Sequence, residues 1–337
     1  MTLRNALPTL ALIVFTSLAM LGCGSGEPAA DSASDEQAAG DAPIKIIATI
    51  GMLSDVVANV AGDRADVTLL VKPGVDPHLY SPTRSDIQRL LGADIVFMNG
   101  LKLEGRMDEA LTSLAEAGTP VILAADQLDE AGLLGSDEYE DQFDPHVWMN
   151  PGLWRDVVEV VRDELIEFDP DGERIYRANA QTYIAQIDTL DAYADLVLDS
   201  VSESARVLIS AHDAFQYFGD RFGYEVVGVQ GISTEAEAGS TEIEALVDLI
   251  VERQIGAVFI ESTVSDRNVQ ALIEGAKARG QDVIIGGELF SDAMGDEGTY
   301  EGTYVGMIDH NVTTIARALG GEAPARGLNG QLAETGE

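Results

Sequence analysis

The chain of 337 residues carries a single cysteine, Cys23. No internal disulfide is therefore available, and stability has to come from packing. Positive charge is scarce as well: 20 Lys and Arg stand against 58 Asp and Glu, a formal net charge of −38. Such a surface repels nucleic acid and removes that class of partner. The acids are expected to form a solvated, salt-adapted surface, because diffuse charge does not by itself make a cation site. No apolar run is long enough to span a bilayer, since the one at 10–21 is too short. Histidine is the last scarcity, with only four in the chain, so the places where they fall carry information.

At the amino terminus Arg4 precedes the apolar run, and small residues lead to Met20-Leu21-Gly22-Cys23. This is signal-peptide grammar, and the four residues resemble the bacterial lipobox, with Met where Leu is commoner. Residues 1–22 are thus expected to be a signal peptide. Residues 23–43 would be a lipidated Cys23 and a disordered acidic tether, rich in Gly, Ser, Ala, Pro and acids and unable to build a core. With 46% apolar residues, the remainder suffices for two medium-sized lobes.

Short, continuous apolar runs at 44–50, 67–71, 95–98 and 121–124 alternate with helical patterns at 52–61, 83–91 and 107–116. That alternation predicts a parallel sheet covered on both faces, an N-terminal lobe over 44–170. The order repeats over 205–320, with strands at 207–209, 225–227, 257–260 and 283–285 and helices at 214–222, 242–253, 268–278 and 305–319. Between the lobes lie a helix at 153–168 and the segment 171–204, which has no proline or glycine after Gly172. Its apolar residues Ile175, Ala178, Tyr183, Ile187, Leu190, Tyr193, Leu196 and Val197 recur at helical spacing. One linking helix of roughly 30 residues, about 45 Å long, is expected. The fold class is α/β, two lobes each with a roughly four-stranded parallel sheet, joined by a long rigid helix that limits hinge motion. Residues 321–337 are a tail.

Two of the four histidines share one local frame, Asp76-Pro77-His78-Leu79-Tyr80 and Asp144-Pro145-His146-Val147-Trp148. Proline locks φ and pushes the preceding Asp toward an extended conformation, so each imidazole is presented from a stiff turn and followed by an apolar anchor. A single copy is compatible with plain turn chemistry; two copies in a histidine-poor chain argue for paired ligands. In open parallel sheets ligands bind beyond the carboxyl ends of the strands. His78, His146, His212 and Asp292 each follow a strand and converge between the lobes, a donor set suited to zinc or manganese. For His212 the competing explanation is a strand end with Asp213 capping the next helix. For Asp292 the rivals are Glu261, Glu288, Asp296 and Glu297. His310, inside the last helical pattern, is read as a structural or surface residue.

The segment Lys72 to Tyr80, the run Asp144 to Pro151, Ala211-His212-Asp213-Ala214-Phe215-Gln216-Tyr217-Phe218 and Gly228 to Glu237 resemble the metal-binding solute receptors of ABC importers. The stretch Gly286 to Gly295 is similar to the treponemal-receptor branch, in which an aspartate completes the site. The likeness covers about residues 44–320. It implies a metal between two lobes, held by His78, His146, His212 and Asp292. It also implies capture of Mn2+ or Zn2+, or Fe2+, and delivery to a membrane permease with its ATPase. The carrier would be an exported, membrane-anchored lipoprotein, periplasmic or at the cell surface, monomeric and held to the lipid bilayer through Cys23. Histidine at position 212 and the lack of a His-rich stretch in the acidic loop 126–143 place it with members able to hold either manganese or zinc. A surface adhesin would use the same fold and site. A secreted zinc hydrolase is the alternative from another class, but four protein ligands leave no open position for water, and no His-Glu-x-x-His helix or Gly-x-Ser-x-Gly elbow is present. Histidine ligation further predicts little proton release at neutral pH and affinity falling toward about pH 6.

Overall fold

The computed structural model describes residues 42–136 and 142–333. The expected signal peptide, Cys23 and all but the last two residues of the tether lie outside the described residues, as do 137–141 of the acidic loop and the last four residues.

The first lobe runs β1 (Ile44–Ala48), α1 (Gly51–Ala61), β2 (Ala65–Leu69), α2 (Arg84–Leu90), β3 (Ile95–Met98), α3 (Asp108–Glu116) and β4 (Val121–Leu123). Its strands form one parallel sheet in the order β2-β1-β3-β4. The second strand begins two residues earlier than its apolar run suggests. Leu70 and Val71 nevertheless continue its hydrogen bonding, through Ala48 O and Thr49 O at 2.9 Å each, and both are buried.

Two helices then cross to the second lobe. Asn150 caps α4 (Pro151–Phe168) by accepting from Gly152 N at 2.8 Å, with Pro151 in the first turn; both are favoured helix-start residues. The long α5 (Glu173–Leu198) has 26 residues, about 39 Å of helix. It stops short of residue 204; just past its end Ser200 donates its hydroxyl to Val197 O. Tyr176, Ala180, Tyr183, Ile187, Leu190, Tyr193, Ala194 and Val197 form its buried stripe, whereas Ala178 and Leu196 face solvent.

The second lobe holds β5 (Val207–His212), α6 (Gln216–Phe222), β6 (Glu225–Gln230), α7 (Ser240–Arg253), β7 (Ala257–Glu261), α8 (Arg267–Ala278), β8 (Ile284–Leu289) and α9 (Tyr304–Ala318). All pairings are parallel, but the hydrogen-bonded ladder is divided into β5-β6 and β7-β8, with β5 lying beside β7. A register shift between Val258 and Phe259 lets Gly286 bulge out of β8. A Cβ at Gly286 would lie 2.8 Å from both Ala318 Cβ and Phe259 Cε1, so only glycine fits there.

One core runs from β1 and α1 through α4, α5 and α9, and includes Trp148, Trp154, Phe215 and Tyr304. The lobes are therefore joined by packing as well as by chain. Smaller clusters lie under α2 and α3 and under α7 and α8. The tail returns onto the second lobe: buried Asp309 of α9 accepts from Leu328 N at 2.9 Å, and Leu332 is buried. Among the described residues no helix is long and apolar enough to cross a membrane.

Candidate metal centre

Both Asp-Pro-His segments fold into the same turn. Asp76 Oδ1 accepts from His78 N at 2.8 Å and Asp144 Oδ1 from His146 N at 2.9 Å. An Asp side chain bonding the backbone two residues on is the turn that this residue favours, and the intervening proline stiffens it. The aromatic that follows each histidine is an anchor. Tyr80 donates to Asp86 Oδ2 at 2.7 Å, at the capped start of α2. Trp148, fully buried, reaches across to donate to Ser291 O at 2.8 Å, and Tyr304 donates to Trp148 O at 2.9 Å. The backbone just before Asp292 is thereby hung on the residue two after His146. Asn311 of α9 holds Phe290 from the other side, accepting from its N at 2.9 Å and donating to its O at 2.7 Å.

His212 is the last residue of β5, paired with Gln230. The neighbouring chain must come very close, since a Cβ on Gly228 would stand 2.5 Å from Asp213 N. Asp213 does not cap α6; it accepts from Gln216 Nε2 at 2.7 Å, and the cap position is Phe215. Glu261, the rival ligand at the end of β7, stands behind His212 instead, accepting from its backbone N at 2.8 Å and from its Nδ1. Asp144 does the same for His146 Nδ1 at 2.7 Å. A carboxylate on the far nitrogen fixes the tautomer and turns Nε2 toward the site.

The four expected residues do come together. His78 Nε2 lies 3.5 Å and His212 Nε2 3.3 Å from Asp292 Oδ2, His146 Nε2 lies 3.4 Å from Asp292 Oδ1, and His78 and His146 Nε2 are 3.3 Å apart. One donor atom from each falls within 4.8 Å of all the others. All four are buried, His78 being 6% exposed and the others at most 1%. Yet neither oxygen of Asp292 nor His212 Nε2 has a hydrogen-bond partner, a costly state for buried polar atoms. Four ligands around a tetrahedral metal with bonds of 2.0–2.1 Å stand about 3.3 Å apart, the spacing found here. His310 is elsewhere, on Glu288 O at 2.9 Å and against the Phe290 ring.

The charges are strongly coupled. Burial drives His78 down to about 3, with only partial opposition from Asp292. Burial would also lower His146 and His212, but Asp144 and Asp292 bring the first up to about 9, and Glu261 and Asp292 hold the second well above the usual imidazole range. Burial pushes Asp292 the other way, yet His212 and His146 keep it well below the ordinary carboxylate range. His146 and His212 therefore hold a proton more readily than a free imidazole does in the metal-free site. These upward shifts run against the expectation of little proton release, since the carboxylates behind the imidazoles, which orient them, also raise their basicity.

Missed from sequence were Asn311, the reach of Trp148 to Ser291 and the orienting part of Glu261. A polar Asn in an otherwise apolar helical stripe was the available signal for the first; the others depend on which strands become neighbours.

Two α/β lobes sharing a core, with three imidazoles and a carboxylate buried where their strands end, define a metal-ion receptor of the two-lobed solute-binding class. The chain matches over residues 46–318 the family described as zinc-uptake complex component A, periplasmic, and it belongs to that family. It is 39% identical over 310 residues to the manganese-binding lipoprotein MntA of Bacillus subtilis, covering 92% of this chain and 98% of that protein. It is 43% identical over 284 residues to the zinc-binding protein TroA of Treponema pallidum, covering 84% of this chain and 91% of that protein. The solved structure of that periplasmic protein superposes with a TM-score of 0.80 at 42% identity, over 82% of this chain and 99% of its own. The expected kinship with the treponemal branch is borne out.

Proposed function

We propose that the chain captures a divalent transition metal, Mn2+ or Zn2+ with Fe2+ as a third candidate, between its lobes and delivers it to the permease and ATPase of an ABC importer. His78, His146, His212 and Asp292 are the ligands. The observation that carries this reading is the convergence of three Nε2 atoms on a carboxylate at 3.3–3.5 Å, with both carboxylate oxygens otherwise unpartnered. Two lobes, 44–170 and 205–320, each contribute two ligands, so one ion cross-links them. Presentation of both Asp292 oxygens suits one-oxygen ligation of zinc or two-oxygen ligation of manganese. Ligand type alone favours zinc in affinity.

The role is binding, not catalysis. Four protein donors complete a tetrahedral shell, which leaves no open position on the ion for a reacting water. Export, anchoring to the bilayer through Cys23 and a monomeric receptor complete the proposal; they rest on the lipobox-like segment and on relatives that are lipoproteins. The experiment is thermal unfolding of the chelator-stripped full chain with zinc, manganese, iron(II) or magnesium added separately. A ligand at 100 times its Kd adds about 2.7 kcal/mol of stability. A large shift with zinc and manganese and none with magnesium is expected; no shift with any transition metal would overturn the proposal.

A further inference from the structure

The two Asp-Pro-His turns are alike in backbone and different in what their aspartates do with the second oxygen. Asp144 spends its contacts on His146 alone, on the backbone N and on Nδ1, and its Oδ2 is unpartnered. Asp76 holds the His78 backbone N with Oδ1 and with Oδ2 accepts a hydrogen bond from Thr234 Oγ1 at 2.5 Å. Thr234 belongs to the other lobe, in the irregular segment between β6 and α7, and is itself buried. This bond links the two lobes across 158 positions of sequence.

A second bridge joins the same two segments. Arg106 donates to Leu79 O at 3.3 Å, next to His78, and to Glu235 Oε1 at 3.1 Å, next to Thr234. Arg106 and Glu235 line a cavity of about 340 Å3 that also touches His78 and none of the other three ligands. His78 is also the most exposed of the four. Of the four ligands, His78 is the one that faces this cavity. Of the two bridges the Arg106–Glu235 pair is exposed, where ion pairs contribute little, whereas the Asp76–Thr234 bond is shielded and charge-assisted.

We infer that Asp76 and Thr234 form the latch that sets how long the metal stays: the bond holds the His78 turn in place only while the second lobe is closed over it. Resting on the receptor reading above, this names positioning residues outside the ligand set. Opening breaks the bond, frees the turn and loosens His78 first.

The test is stopped-flow capture of zinc by excess chelator from the zinc-loaded full chain. Thr234→Val, which removes the hydroxyl and keeps the shape, should raise the dissociation rate about ten- to hundredfold, the range for losing a hydrogen bond to a charged group. Thr234→Ser should release zinc at close to the original rate. Asp76→Asn keeps an acceptor for the His78 N–H and turns an amide N–H toward Thr234 Oγ1, a neutral bond in place of a charge-assisted one, and should accelerate release less than Thr234→Val does. The latch requires a metal-free chain that opens and loses the bond, so in Thr234→Val the melting temperature of the zinc-loaded protein should fall more than that of the metal-free protein. Release within about twofold of the original in Thr234→Val would overturn the latch. So would an equal fall in the melting temperatures of the metal-free and loaded forms, which marks a general structural role. An original chain that takes up no zinc, manganese or iron(II) would instead overturn the receptor reading, and the latch with it.

Discussion

At His146 and His212 a carboxylate occupies the far ring nitrogen, while among the described residues no such group backs His78, which is held through its turn. Removing the ligand itself, as in His146→Ala, should abolish tight binding. Changing only the carboxylate behind a ligand, as in Glu261→Gln behind His212, should weaken zinc about 10–100-fold in a competitive titration while the fold is retained; an undiminished affinity would show that Glu261 orients nothing. The same carboxylates set the pH dependence. With His146 brought up to about 9, above its unfolded value of 6.5, its proton stabilises the metal-free protein fully below about pH 6.5, and that contribution is lost as pH rises through 9. A bound metal takes the proton's place, so affinity should climb through this window. With His212 also raised, one to two protons should be released on binding, about a ten- to hundredfold gain per pH unit. Calorimetry in buffers of different ionisation enthalpy counts those protons directly; a count of zero at pH 7 would contradict the coupling described.

Among the elements, β8 is the one whose geometry most directly governs Asp292. Its Gly286 bulge packs against Phe259 and Ala318, and three residues past its end the carboxylate enters the site. Gly286→Ala should overpack this contact and destabilise the protein by about 1–3 kcal/mol in a denaturant titration; a neutral result would mean that the bulge is free to relax. The same strand shows what a sequence hides. Its pattern reads as a strand only to 285, because the glycine pair breaks the apolar run, just as Ser210 and His212 truncate the reading of β5. Where the apolar run is unbroken, as at 95–98 and 257–260, strand and position were legible. The ligands were legible for a related reason: proline and aspartate write the turn locally, so the histidine's setting is encoded within three residues. Glu261 could not be read that way, since its role depends on β5 lying beside β7, a neighbour relation with no local signature. The exposure of Ala178 and Leu196 on α5 is similar, because periodicity gives the stripe and the partners decide its centre.

For the whole molecule, the continuous core through α4, α5 and α9 argues for a small rearrangement on metal binding, with the linking helix as a strut. The net charge of −38 acts at the same scale. With no internal disulfide to offset the repulsion, the melting temperature should rise substantially from about 0.01 M to 1 M salt as screening shortens from about 30 to 3 Å; indifference to salt would remove the view that this surface is salt-adapted. The central claim, that one ion is held by both lobes through His78, His146, His212 and Asp292, is tested most directly by anomalous diffraction from crystals of the zinc-loaded protein. The account predicts a single strong peak about 2.0–2.2 Å from the three Nε2 atoms and from an oxygen of Asp292. A peak elsewhere, or one at which any of those three imidazoles is replaced by water, would contradict it.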